Sequence, residues 1–169
     1  MSSITRLLSL TLAAGLSTSA LAVELDWGQV AQALGKSGSE MPGGVYRIGL
    51  PRTDLKVVLD GVELKPALAL GSWLAFRSDG DQAMVMGDLV LTADEVSPVM
   101  RKLAGEGIEI TALHNHLLRA APATLYMYVL GRGDPVKLAA ATRHGADRPD
   151  AGRQRQGERR RLPGEPETR

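Results

Sequence analysis

The densest cluster of chemically capable side chains in this sequence is His114, Asn115 and His116. It follows a segment in which Ile108 and Ile110 alternate with polar residues, as in a half-buried strand. Because successive side chains of a strand point to opposite faces, we expect His114 and His116 on the isoleucine face and Asn115 on the other. Two imidazoles at this spacing can bind one zinc ion, or a similar divalent ion, provided that a third ligand completes the site.

Asp88 is the best candidate for that third ligand, because its carboxylate interrupts the apolar run of residues 84–91. Asn115 is predicted to contact the bound ligand through its amide and to orient it. A structural interpretation stands beside this one: the histidines would donate to backbone carbonyls at a strand end, and Asp88 would accept from neighbouring amides. Tyr126 and Tyr128 either border the histidine pair from the next strand or simply pack.

Several kinds of chemistry are excluded by composition and by missing motifs. The chain of 169 residues has no cysteine, which excludes disulfides, thiolate metal sites and a cysteine nucleophile. It has no G-x-S-x-G, Walker or H-E-x-x-H pattern. A net charge of +1 and an aromatic content of 4% argue against a nucleic-acid partner. Two function classes remain. One is a non-catalytic module that binds a ligand, a protein or a second copy of itself. The other is a metal-dependent binding protein or hydrolase, whose ion would activate water.

The elements that must position these residues are predicted to be hairpins with helices between them. Asp60-Gly61 and residues 78–81 are typical of hairpin turns. Helices are predicted after Asp26 and after Thr92, where apolar residues recur with a period near 3.6. This order predicts an α+β fold, a mainly antiparallel sheet with helices packed on one face. The predicted strands are residues 45–50, 55–59, 62–64, 73–77, 83–91, 108–118 and 123–130, and a last helix is predicted over residues 135–143.

Because of Pro98, two starting residues are possible for the second predicted helix. Thr92 and Glu95 match a capping box, which predicts a helix that starts at residue 93 and is kinked by Pro98. In the alternative, Ser97 is the cap and Pro98 is the first helical residue.

Residues 1–22 have the features of a secretory signal. Arg6 precedes an apolar stretch, and Ala20-Leu21-Ala22 matches a cleavage site. The stretch is shorter than the roughly 20 apolar residues that a membrane span needs. We therefore expect a mature protein that begins at Val23, has no transmembrane segment and is periplasmic or secreted.

The composition changes abruptly near the C-terminal end. Residues 144–169 are rich in Arg, Gly and Pro and contain one large apolar residue, Leu162, so they are predicted to be a disordered basic tail. Residues 23–143 would then form a single domain. Because the predicted last helix runs directly into this tail, we hypothesise that the tail is a truncated or out-of-frame end.

The string A-L-H-N-H-L at residues 112–117, together with four other segments, resembles the LppY/LpqO family of exported bacterial proteins. The resemblance implies a domain of unknown function in the cell envelope, whose partner is an unidentified envelope ligand or protein. Relatives often have histidine where this chain has Tyr128 and Arg132, which implies that a metal site in relatives would have fewer ligands here. The other matching segments are residues 51–56, 69–73, 86–91 and 133–139.

Overall fold

The computed structural model describes residues 25–146, which form two antiparallel sheets and four helices. In chain order the elements are α1 (Trp27–Leu34), β1 (Ser39–Met41), β2 (Val45–Pro51), β3 (Val58–Leu59), β4 (Val62–Glu63), α2 (Pro66–Ala69), β5 (Gly71–Asp79), β6 (Gln82–Thr92), α3 (Ala93–Gly105), β7 (Glu109–His114), β8 (Ala120–Ala121), β9 (Thr124–Gly133) and α4 (Pro135–Ala146). The larger sheet has the order β1-β2-β5-β6-β9-β7, and the smaller one has the order β4-β3-β8. The predicted α+β class is confirmed.

Local signals in the sequence determine where the first helix starts and where the first hairpin turn lies. The Asp26 carboxylate accepts hydrogen bonds from the backbone N–H groups of Gly28 and Gln29, at 2.9 and 3.3 Å, and so caps α1. Asp60 and Gly61 both have positive φ, 50° and 82°, as the tight turn between β3 and β4 requires. Both elements were predicted from these residues.

Helix α3 resolves the two alternatives for Pro98. The capping box is formed, because the Glu95 carboxylate accepts the Thr92 N–H at 2.8 Å and the Thr92 side chain accepts in return. The helix begins at Ala93 and continues through Pro98. Proline is tolerated there although it lacks the N–H of an internal helical residue. Ser97 is therefore an internal residue and not the cap.

Helices α1, α3 and α4 cover one side of the larger sheet, which we call the helix face, and enclose the main core. Phe76, Ile48 and Leu103 are fully buried in this core. Burial of such side chains contributes about 1.5–3 kcal/mol each. The prediction that helices pack on one face is confirmed for these three helices.

The smaller sheet and the one-turn helix α2 lie on the other side, which we call the open face. With one end of the larger sheet they enclose a second core of Val57, Leu70, Val90, Ala120 and Tyr126. Beyond this end the open face is uncovered, and Met86, for example, is 43% exposed. A row of side chains that includes Trp73, Asp88 and Tyr128 crosses β5, β6 and β9 at the border between the covered and uncovered parts.

The strand predicted over residues 108–118 is shorter than expected. It pairs with β9 as predicted, but it ends at His114. The Asn115 carboxamide oxygen accepts the N–H of Leu117 at 2.8 Å, which forms a local turn and ends the strand. The chain then leaves the larger sheet, and β8 pairs with β3.

The predicted terminal segments lie largely outside the described residues. The signal segment, residues 1–22, is outside them, and so are residues 147–169 of the predicted tail. Helix α4 extends to Ala146, three residues beyond its predicted end. Within residues 25–146 no helix combines the length and the hydropathy that a membrane span requires.

Candidate functional site

A β-bulge in β7 decides on which face the histidines lie. Ile110 pairs with Val129, which is buried on the helix face, but Ala112 pairs with Tyr128 and His114 with Tyr126 on the open face. The extra residue between Ile110 and Ala112 shifts the alternation of side chains by one position. The prediction that His114 and His116 share the isoleucine face is therefore wrong, because it assumed an unbroken strand.

The two imidazoles meet each other and stack on tyrosines of β9. The Nε2 atoms of His114 and His116 are 2.6 Å apart, so one of these nitrogens must donate and the other accept. The His116 ring stacks on Tyr126 with centroids 3.9 Å apart, and the His114 ring stacks on Tyr128 at 5.5 Å. His114 is half-buried and His116 is exposed. The tyrosines therefore orient a histidine pair that solvent and ligands can reach.

Asn115 lies between the two histidines in the chain, and its side chain forms a local turn. Its side-chain oxygen is used in the turn to Leu117, and the residue is exposed. Asn115 therefore affects the site through this turn, which brings the His116 imidazole next to that of His114. The contact between the Asn115 amide and a ligand stays a prediction.

Asp88 lies on the open face between Trp73 and Tyr128 and is only 7% exposed. Its Oδ1 atom is buried and has no hydrogen-bond partner among residues 25–146. Burial raises the pKa of the Asp88 carboxyl, whereas the charges of His116 and His114 act in the opposite direction. Both histidines therefore lie close enough to Asp88 for their charges to affect its pKa. The predicted hydrogen bonds from neighbouring backbone amides are not formed at Oδ1 within residues 25–146.

These three side chains do not form a complete metal site as they stand. In the described part of the chain, no group of three or more His, Asp or Glu side chains is arranged to hold a metal ion. The histidine nitrogens converge, but the Asp88 carboxylate would have to approach them. The arrangement can bind a hydrogen-bond donor or a cation, and a divalent ion held by all three residues would require their side chains to move.

A buried ion-pair cluster around Arg52 was not predicted from the sequence. Arg52, in the connection after β2, is 3% exposed and forms two hydrogen bonds with Glu95, at 2.8 and 3.1 Å. It also donates to Asp54 and to the Val90 carbonyl, the latter at 2.6 Å. Burial tends to lower the pKa of Arg52, but hydrogen bonds to Asp54 and Glu95 outweigh this and raise it. The cluster fastens the connection to the smaller sheet onto β6 and α3.

Replacing Asp88 with Asn is expected to raise the free energy of unfolding of the ligand-free protein by about 1 kcal/mol at pH 7. The change removes a buried charge that has an unpartnered oxygen. Because burial raises the folded-state pKa of Asp88 above the ordinary value of 3.8, the folded protein binds more protons than the unfolded chain between the two values. Wild-type stability should therefore fall as pH rises from about 4 through the folded-state pKa.

Urea denaturation of the wild type and of Asp88→Asn at several pH values between 4 and 7 measures this difference. The difference in stability between the two proteins should be widest at pH 7 and should narrow toward pH 4, as the folded-state carboxyl of the wild type takes up a proton. A gap that is equally large at every pH would contradict the assignment of a buried, ionisable carboxyl.

Comparison with known proteins identifies the domain without assigning an activity. A family model described as Domain of Unknown Function (DUF1259) matches residues 28–148, which include every strand and all the residues of the site. Neither the curated proteins nor the solved structures that were searched contain a match. Since the family model covers well over half of the chain, the chain belongs to the family described as Domain of Unknown Function (DUF1259).

Proposed function

We propose that this domain is an exported binding module that captures its ligand on the open face, at Asp88, His114 and His116. The observation that carries the proposal is the Asp88 carboxylate, which is buried and has an oxygen without a partner among the described residues. A carboxylate in that state costs free energy, and a ligand that neutralises it recovers this cost on binding. Binding sites commonly store such a cost in the ligand-free protein.

A divalent transition-metal ion is the ligand that the three side chains favour. Two imidazoles and one carboxylate are ligand types that bind zinc and similar ions and leave positions open for water or a further ligand. The Nε2 atoms of His114 and His116 are already close together, 2.6 Å apart. Two ligands of a tetrahedral zinc ion are about 3.3 Å apart, so a small rotation of the exposed His116 would make room for the ion.

The location of the protein in the cell envelope belongs to the same proposal. It is supported by the signal-like sequence of residues 1–22 and by the resemblance of residues 112–117 to LppY/LpqO proteins. An exported module that binds a metal ion or a metal-bound ligand would act outside the cytoplasm. The open face is the side of the sheet on which that ligand would be presented.

The test is a calorimetric titration of the chelator-treated full chain with zinc chloride. The wild type should bind one equivalent, and the variant His114→Ala/His116→Ala should bind at least 100-fold more weakly, because two of the three protein ligands are lost. Asp88→Asn should weaken binding by about tenfold or more. The third histidine of the chain, His144, provides a matched control, and His144→Ala should bind like the wild type.

Two results would overturn the metal assignment. One is a wild-type chain that takes up no stoichiometric zinc, nickel or copper. The other is an equal loss of affinity in His144→Ala and in the double variant, which would indicate nonspecific binding to histidine. Circular dichroism of each variant shows whether the fold is retained.

A further inference from the structure

A second feature of the open face is a cleft between β2, β5 and α2. It encloses about 530 Å³ and is bordered by the backbone of Gly49 and Gly71, by Pro66 of α2 and by Trp73. A side chain added at Gly49 would meet nothing within 4 Å, so the glycine leaves this part of the cleft open. A volume of this size is within the range of small-molecule sites.

The charged side chains that line this cleft are all positive. Arg47 and Lys65 line it, and no Asp or Glu is among the described residues that do so. Lys65 is already paired with Glu63, at 2.9 Å. The ion pairs formed within residues 25–146 do not include Arg47. The cleft thus contains a guanidinium group without a carboxylate partner.

Trp73 holds this guanidinium in place. The Arg47 Cζ atom lies 4.4 Å from the centroid of the indole ring, which is a favourable cation–π distance. A cation–π contact attracts the positive charge and does not pair the guanidinium N–H groups with a carboxylate, so these groups stay available as donors. An arginine that is oriented in advance loses less side-chain freedom when it binds a ligand.

We propose that this cleft binds a small organic oxyanion, in which a carboxylate or phosphate group is attached to an apolar body. The planar guanidinium of Arg47 can form two parallel hydrogen bonds with such an oxyanion. Pro66 and the indole of Trp73 provide apolar surface for the rest of the ligand. This site goes beyond the proposed function, because Asp88, His114 and His116 do not line the cleft.

Trp73 also provides the signal for the test. The chain has two tryptophans, and the other, Trp27, stacks on Tyr46 and packs against the main core. In the full chain with Trp27→Phe, titration with benzoate should cause a saturable change in Trp73 fluorescence. Benzamide has the same shape without the charge and should bind at least tenfold more weakly, because it lacks the charge-assisted hydrogen bonds.

Variants of two arginines on the open face separate a specific contact from general charge attraction. Arg47→Met should weaken benzoate binding by about tenfold or more. Arg77→Met removes an exposed arginine from β5 outside the cleft and should change the affinity less than twofold. Ligand-observed NMR provides a second measurement, since the Arg47 substitution itself alters the surroundings of Trp73. Equal affinity for benzoate and benzamide, or an equal loss in both arginine variants, would overturn the proposal.

Discussion

Replacing Arg52 with methionine is expected to lower the free energy of unfolding by about 3–5 kcal/mol. Arg52 and Glu95 are 3% and 7% exposed, and they form two hydrogen bonds with each other. Without the guanidinium, Glu95 would keep a buried negative charge with no compensating cation. The Val90 carbonyl, which accepts from Arg52 at 2.6 Å, would also lose a donor. Urea denaturation monitored by circular dichroism measures the change.

The pair between Arg119 and Asp60 is a matched control. It is also formed by two hydrogen bonds, at 2.9 and 2.6 Å, but both side chains are exposed. Arg119→Met should therefore destabilise the protein far less than Arg52→Met, since solvent screens exposed charges. If the two variants lost the same stability, burial would not be the cause. The variant Arg52→Met/Glu95→Met should recover part of the loss, because it leaves no unpaired charge at Glu95.

Gly87→Ala is expected to destabilise the protein by about 1–3 kcal/mol through overpacking. A Cβ atom at Gly87 would lie 2.6 Å from Leu74 Cδ2 and 2.8 Å from the backbone oxygen of Trp73. The backbone oxygen cannot move without shifting β5 against β6. Since Asp88 follows directly, the same shift would displace the carboxylate of the proposed ligand site.

Gly49→Ala tests the reason for this effect. Both glycines lie in central strands of the larger sheet, but a Cβ atom at Gly49 meets nothing within 4 Å. Alanine there should leave stability unchanged or raise it slightly, because it restricts the unfolded chain. Thermal denaturation of both variants provides the comparison. A similar loss at both positions would show that steric contact with Leu74 and Trp73 is not the cause of the effect.

Local features of the sequence were sufficient to predict much of the fold. The cap at Asp26, the Asp60-Gly61 turn and the capping box from Thr92 to Glu95 each depend on residues close in the chain. Such interactions form almost independently of the rest of the molecule, so short patterns specify them. The α+β class followed from the order of these elements.

The candidate site was only partly predictable, because its geometry depends on contacts between distant residues. Asp88, His114 and His116 were identified by type, but the contact between Arg52 and Glu95 joins residues 43 positions apart. The position of Trp73 beside Asp88 depends on the register of β5 and β6, which the predicted loop over residues 78–81 did not specify. The capping box identified Glu95 and gave no indication of its ion-pair partner.

The irregularity in β7 has a consequence for comparing relatives of this chain. With the bulge, Ile110 and His114 face opposite sides of the sheet although they are four positions apart in the chain. A homologue that lacks Thr111 would form a regular ladder in which Ala112 still pairs with Tyr128 and His114 with Tyr126, so its H-N-H string would face the same tyrosines. A homologue of unchanged length with a regular strand would instead direct the string toward the helices. An alignment gap at Thr111 is therefore compatible with the same site, and deletion of Thr111 in this chain should remove the bulge and leave the imidazoles on the open face.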